Sequence, residues 1–358
     1  MTTHSAERSY GTSVDDQSTR SNGSITAATI ATRFGILLCL LFVGAVFNLV
    51  SFSSFSLSLS DAWQALVHFD NNQLSQQVIR TLRLPRLLTA MTAGAGLAVA
   101  GVLMQGLTRN PLASPSLFGI GYGAALAFTL SATGFIPLLS VIPVSVVCFL
   151  GALITGLIMF FLAGLHLSRM NPIRMVLAGV AMNFLLVSVV RGLVIFADDH
   201  AFGVYYWLIG NISNATFPDI WMAIPPILLG LVIAVFISHP LNLLSLGEER
   251  MQSLGGSLTP LRLLSGLAIT LLTGASVSIA GPIGFVGLMV PHIGRRIVGH
   301  DHRILIPFSA LLGAILLVYS DILARAINFP IDTPIGIVTA LLGAPFFFYL
   351  ASLKTRGR

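Results

Sequence analysis

Long apolar stretches without charge, separated by short polar clusters, fill most of this chain. Residues 34–60 hold 27 positions without an Asp, Glu, Lys or Arg; residues 87–108 form a second such stretch; residues 110–168 extend one over 59 positions. A helix rising about 1.5 Å per residue needs about 20 apolar residues to cross a bilayer's hydrocarbon. The 59-residue stretch is too long for one helix and suits two, turned at Gly134-Phe135-Ile136-Pro137. Further spans are expected at about 173–196, which carries Arg191, and at about 220–238. Residues 263–294 are charge-free for 32 positions and divide at Gly281-Pro282 into one full and one short span. Spans at 304–327 and 334–353 complete a pattern of ten helices with both ends of the chain on one side.

Composition agrees. The 358 residues are 55% hydrophobic and 9% charged, against about 25% charged for soluble domains, and the mean hydropathy is +0.90. A soluble enzyme is excluded. The first 33 residues differ: they are rich in Ser and Thr, lack an apolar core and read as a disordered polar tail before a 34–358 membrane domain. The apolar run after this tail is long and shows no clear cleavage site, so it is expected to stay as the first span. Cys39 and Cys148 lie alone in apolar runs, which argues against a disulfide or a metal site.

The net charge of +6 comes from 18 arginines and Lys354, scattered rather than gathered on one face. Nucleic-acid binding needs a basic face; these arginines read instead as topology signals. With the tail placed in the cytoplasm, 14 of the 19 basic residues fall on inner segments, and Arg80, Arg83, Arg86, Arg191 and Arg325 remain outside. The positive-inside rule therefore puts both termini in the cytoplasm. Glycines such as Gly94, Gly96, Gly101, Gly119 and Gly123 read as packing positions between membrane helices. They do not read as a phosphate loop. A P-loop requires Gly-Lys-Ser/Thr, and Lys354 follows Leu353, so this chain has no Walker loop and ATP would have to act through another subunit.

Three long motifs stand in order. The first is Arg83-Leu84-Pro85-Arg86, then the small-residue run from Gly94 to Gln105, then Arg109-Asn110-Pro111-Leu112-Ala113-Ser114-Pro115. The second is Pro282-Ile283-Gly284-Phe285-Val286-Gly287-Leu288-Met289-Val290-Pro291-His292, and the third runs from Asp332-Thr333-Pro334 to Phe346-Phe347. Together they resemble the permeases of the iron-siderophore, haem and vitamin B12 ABC importers, from about Phe34 to the C-terminus. That family usually has Glu where this chain has Asp332, and a shorter polar tail.

The resemblance implies an all-α, ten-helix type II importer fold in a bacterial inner membrane. It implies work as a pair with an identical or paralogous permease, on two cytoplasmic ATPase subunits, fed by an external binding protein. ATP and Mg would sit on the ATPase, with no cofactor on this chain and no chemistry performed by it. The cargo would be a ferric siderophore or similar metal chelate, with haem or cobalamin as alternatives. Segment 239–262, the longest polar stretch between inner spans, is either a plain connector or the ATPase-coupling segment through Leu246, Gly247, Glu248, Leu254 and Gly255. Arg83, Arg86 and Arg325 are either interfacial anchors or docking groups for acidic residues of the binding protein. Asn110-Pro111-Leu112 and Asn171-Pro172-Ile173 either simply end helices or close the cytoplasmic mouth of the pathway, with Asn110, Leu112, Pro172 and Ile173 as the gate. His300-Asp301-His302 reads as a solvated inner loop.

A rival class is an ion-coupled secondary transporter, which would place ionisable groups at mid-membrane. Apart from Arg174 and Arg325 at span ends, only Arg191 and Asp321 lie within spans, toward the outer end, so the pathway is expected to be lined by small and uncharged groups.

Overall fold

The computed structural model describes residues 27–53, 56–164, 172–196 and 201–355, and contains no strand among them. Ten principal helices follow in order: α1 (Ala27–Val50), α2 (Leu84–Thr108), α3 (Ile120–Ala132), α4 (Val144–Leu162), α5 (Pro172–Ile195), α6 (Phe217–Phe236), α7 (Leu258–Ala280), α8 (Val286–Val298), α9 (His302–Ile327) and α10 (Ile335–Thr355). Among the described residues, seven stretches are long and apolar enough to cross a membrane, and α3 and most of α10 are shorter apolar helices. The remaining helix, α8, is short, as the division at Gly281-Pro282 predicts, and carries Arg295 and Arg296 in its last turn.

Two boundaries differ from expectation. The first helix runs from Ala27, not Phe34: Ala27, Ala28 and Ala31 are strong helix formers, and Thr32 folds its hydroxyl back on the Ala28 carbonyl, 2.9 Å away. Arg33, expected in the polar tail, is helical, and its guanidinium donates to the Ile297 carbonyl at the end of α8. That helix also stops at Val50; the described residues 51–53 and 56–58 of the expected span are not helical, and a separate short helix, Leu59–Val67, begins at the span's expected end. Ser58 starts it with a capping box: its hydroxyl accepts from the Asp61 amide, and the Asp61 carboxylate accepts from the Ser58 amide.

Helix α2 is the centre of the bundle, packed on α6, α7, α8 and α9. Its small residues make this possible. A methyl placed on Gly94 would overlap the Gly313 carbonyl of α9, and one on Gly101 would overlap the Gly287 carbonyl of α8. Backbones therefore touch without side chains between them, the packing mode membrane helices use in place of a hydrophobic drive. α1 lies outside α9, while α5 meets the bundle chiefly through α3, α4 and the 3₁₀ turn Pro115–Phe118. α2 and α9 run antiparallel: Arg86 at the start of α2 meets Asp321 late in α9, and Gly106 at its end lies against His302 at the start of α9. The bundle thus has an Arg86 end and an Asn110 end.

Candidate functional sites at the two ends of the bundle

At the Arg86 end, charged side chains from two helices and one loop converge with an amide side chain of α1. Arg86 donates from Nε to Oδ1 of Asp321 at 2.7 Å and from Nη1 to Oδ2 of Asp332 at 2.6 Å. Asp321 is fully buried; its Oδ2 accepts from Asn48 Nδ2 of α1 at 2.9 Å and lies 3.2 Å from Arg325 Nη2, one helical turn away. Arg325 also donates to the Ser51 and Asn48 carbonyls that end α1. Buried charges persist only when paired and hydrogen-bonded, and each of these three is.

Arg86 and Arg325, expected to face an external partner, are 6% and 2% exposed. They are committed to internal carboxylates, so the docking expectation is corrected for both. Charge placed near a membrane surface was legible; the internal acceptor that claims it was not. Arg83 differs. It is only partly buried, donates to the Phe52 carbonyl at 2.8 Å, and lines a cavity of about 210 Å³ with Arg86, Ser213 and Asp332. Asp332 is the network's solvent-facing member.

At the other end, α2 stops because Arg109 takes a left-handed conformation, φ 49, and Asn110 starts a turn. The Asn110 side-chain oxygen accepts from the Leu112 amide at 3.0 Å and its carbonyl accepts from the Ala113 amide at 3.1 Å, leaving Leu112 exposed. Pro172 opens α5, with Ile173 after it; the side chains of both, and Asn171 entirely, lie outside the described residues.

The 239–262 segment is not a loop. It comprises the helices Ser238–Ser245 and Glu248–Ser253 and the first turns of α7. Leu241, Leu244 and Met251 anchor it in the core. Gly247 at φ 109 and Gly255 at φ 81 bracket the Glu248–Ser253 helix, in backbone that other residues rarely adopt. Beside them Leu246 and Leu254 are exposed. Glu248 Oε1 accepts from Arg262 Nη2 at 2.9 Å and lies 3.8 Å from Arg109 Nη2.

Two further contacts there were not foreseen. Gln105 donates to the Gly287 and Leu288 carbonyls and accepts from Arg295, fixing α8 to α2. Asn242 donates to Asp301 at 2.6 Å and accepts from the His302 amide at 2.9 Å. The expected solvated His300-Asp301-His302 loop holds for His300 and Asp301, which are exposed, and is corrected at His302, which is buried, with Asp301 capping α9. Burial raises the Asp301 carboxyl, but the Arg303 amide and the Asn242 side chain outweigh it and hold the group below its usual range. His292 packs edge-on against Phe346, joining α8 to α10.

Residues 37–352 match the FecCD transport family. The chain belongs to that family. Among FecCD proteins, the Fe(3+)-citrate import system permease protein YfmD of Bacillus subtilis is 42% identical over 323 residues, 89% of this chain and 93% of that protein. The cobalamin import system permease protein BtuC of Halobacterium salinarum is 38% identical over 293 residues, 82% of this chain and 78% of that protein. A metal-chelate type ABC transporter solved in an inward-facing conformation superposes with a TM-score of 0.78 at 33% identity, covering 90% of this chain and 99% of that one. The FecCD fold is thus an all-helical, multi-pass membrane fold, as the apolar pattern predicts.

Proposed function

We propose that this chain is the membrane permease of an ATP-driven importer that brings a ferric chelate into the cytoplasm. The observation that carries this reading is the near end-to-end match to an iron(III)-citrate import permease. Two copies, or this chain and a paralogue, would enclose the pathway in the inner membrane. Two ATPase subunits carrying ATP and Mg would sit at the Asn110 end, and an extracytoplasmic binding protein would deliver the chelate at the Arg86 end. The arginine distribution favours this orientation, with both termini cytoplasmic. The exposed Leu246 and Leu254 beside a glycine-bracketed helix fit a seat for the ATPase, and the Asn110–Leu112 turn beside it fits a gate.

Cobalamin is the second cargo reading, favoured by the cobalamin permease relative. The ion-coupled alternative is disfavoured by Asp321, a buried carboxylate whose two oxygens are taken up by Arg86, Arg325 and Asn48 of this chain rather than turned toward a passing ion. The test is reconstitution of the permease with its ATPase and binding protein in proteoliposomes, with ferric citrate and cobalamin as probes. ATP-dependent accumulation of ferric citrate is expected. Uptake driven by an ion gradient without ATP would overturn the proposal.

A further inference from the structure

One carboxylate at the Asn110 end, that of Glu248, joins three elements; the role argued for it rests on reading the Glu248–Ser253 helix as the ATPase seat. Gly247 turns the chain in open space just before that helix. Glu248, next in line, faces the bundle: its side chain is 31% exposed and its Oε1 accepts from Arg262, a residue buried in the second turn of α7. The same oxygen lies 3.8 Å from Arg109, whose side chain is about half exposed. Arg109 is the left-handed residue at which α2 ends and the Asn110–Leu112 turn begins. Left-handed backbone is uncommon for residues other than glycine, so this junction is a defined bend rather than a continuous rod.

The two contacts differ in kind. The bond to Arg262 is short and buried at the arginine, which makes it an anchor. The contact to Arg109 is longer and wetter, so it can tighten or lengthen without exposing a buried charge. Leu246 and Leu254 flank the same helix as exposed apolar side chains, available to another protein surface.

We infer that Glu248 is a positioning residue that carries displacement of the Glu248–Ser253 helix to the Asn110–Leu112 turn through Arg109, with Arg262 as its anchor, while the ATPase itself meets Leu246 and Leu254. Glu248 therefore joins ATPase and gate from inside the permease.

The experiment uses the assembled transporter in proteoliposomes with ferric citrate as probe, measuring ATP hydrolysis and uptake together. Arg109→Ala is expected to leave assembly and ATP hydrolysis unchanged and to cut chelate imported per ATP at least tenfold. Leu246→Asp with Leu254→Asp is expected to abolish ATPase association instead. A rescue separates the tie from a merely structural role. Arg109→Cys with Glu248→Cys, in a chain carrying Cys39→Ala and Cys148→Ala, should import poorly when reduced and recover at least half of the import ratio once bridged by a short bifunctional thiol reagent. Wild-type import by Arg109→Ala, or no recovery on bridging, overturns the tie alone. A wild-type chain that never associates with an ATPase overturns the underlying reading and the tie with it.

Discussion

The two ends of the α2–α9 pair hold similar residues in opposite conditions. At the Arg86 end, Arg86, Asp321 and Arg325 are buried and every charge has a short partner. At the Asn110 end, Glu248 is partly exposed and shared unequally between Arg262 and Arg109, on a short helix set between glycines. The first arrangement costs much to break and so holds α1, α2, α9 and the start of α10 in one geometry. The second can be rearranged at little cost. A permease that must receive one partner on a fixed face and yield to another on a moving face needs this asymmetry.

The comparison can be broken most severely at Asp321. Asp321→Asn leaves Arg86 and Arg325 buried with half their neutralisation gone, and removal of one partner from a buried pair costs about 3–5 kcal/mol. A large fall in the melting temperature and yield of the purified permease is expected; wild-type stability would show that the network is not what holds this end. Next comes the contrast within one motif. Arg83→Glu should keep the wild-type melting temperature yet weaken binding-protein association by about 2 kcal/mol, roughly thirtyfold, as loss of an interface charge pair does. Arg86→Ala should instead lower the melting temperature first. Affinity measured at low and high salt, beside a melting curve, separates the two; an Arg83→Glu variant that binds normally would leave Arg83 an interfacial anchor.

At the softer end, Glu248→Gln is expected to cost only about 1 kcal/mol of stability, near the lower limit for a buried charged donor losing its partner. A loss as large as that of Asp321→Asn would erase the asymmetry. The smallest effect concerns Asp301. Its carboxyl is held below the usual range in the folded chain, so its contribution is present above about pH 4 and lost as pH falls through the lowered folded value. Melting temperatures taken from pH 6 to pH 3 should fall slightly more for wild type than for Asp301→Asn, which keeps the helix cap. Parallel curves would remove Asp301 from the account.

The ten helices were legible because a bilayer demands length and apolarity, and the sequence displays both without interruption. Boundaries were less so: Ala27 to Arg33 continues the Ser- and Thr-containing tail and ends on a charge, yet its three alanines suit a helix. Helix 59–67 starts at the last two residues of the charge-free run and lies mostly beyond it, with only a capping pair, Ser58 and Asp61, to mark its start. The candidate sites divided along the same physical line. Gly247 and Gly255 were named through the family resemblance; the structure adds a positive φ at each, which the sequence did not state. Arg86 and Arg325 could not be separated from Arg83, because a charge in sequence has no address until its counter-charge is placed. One clue was there: Asp321 and Arg325 stand four apart in an apolar stretch, the spacing of a helical pair.

The glycine seams have a consequence of their own. With Gly94 against Gly313 and Gly101 against Gly287, backbone meets backbone, and sliding α2 by one residue along its neighbours would drive a side chain into a carbonyl oxygen. The central trio is therefore a strut of fixed length. From Arg86 to Arg109 is 23 residues, about 35 Å at the helical rise. News of an event at one membrane face can reach the other through this strut only by its tilting as a whole, like a lever, never by its shortening.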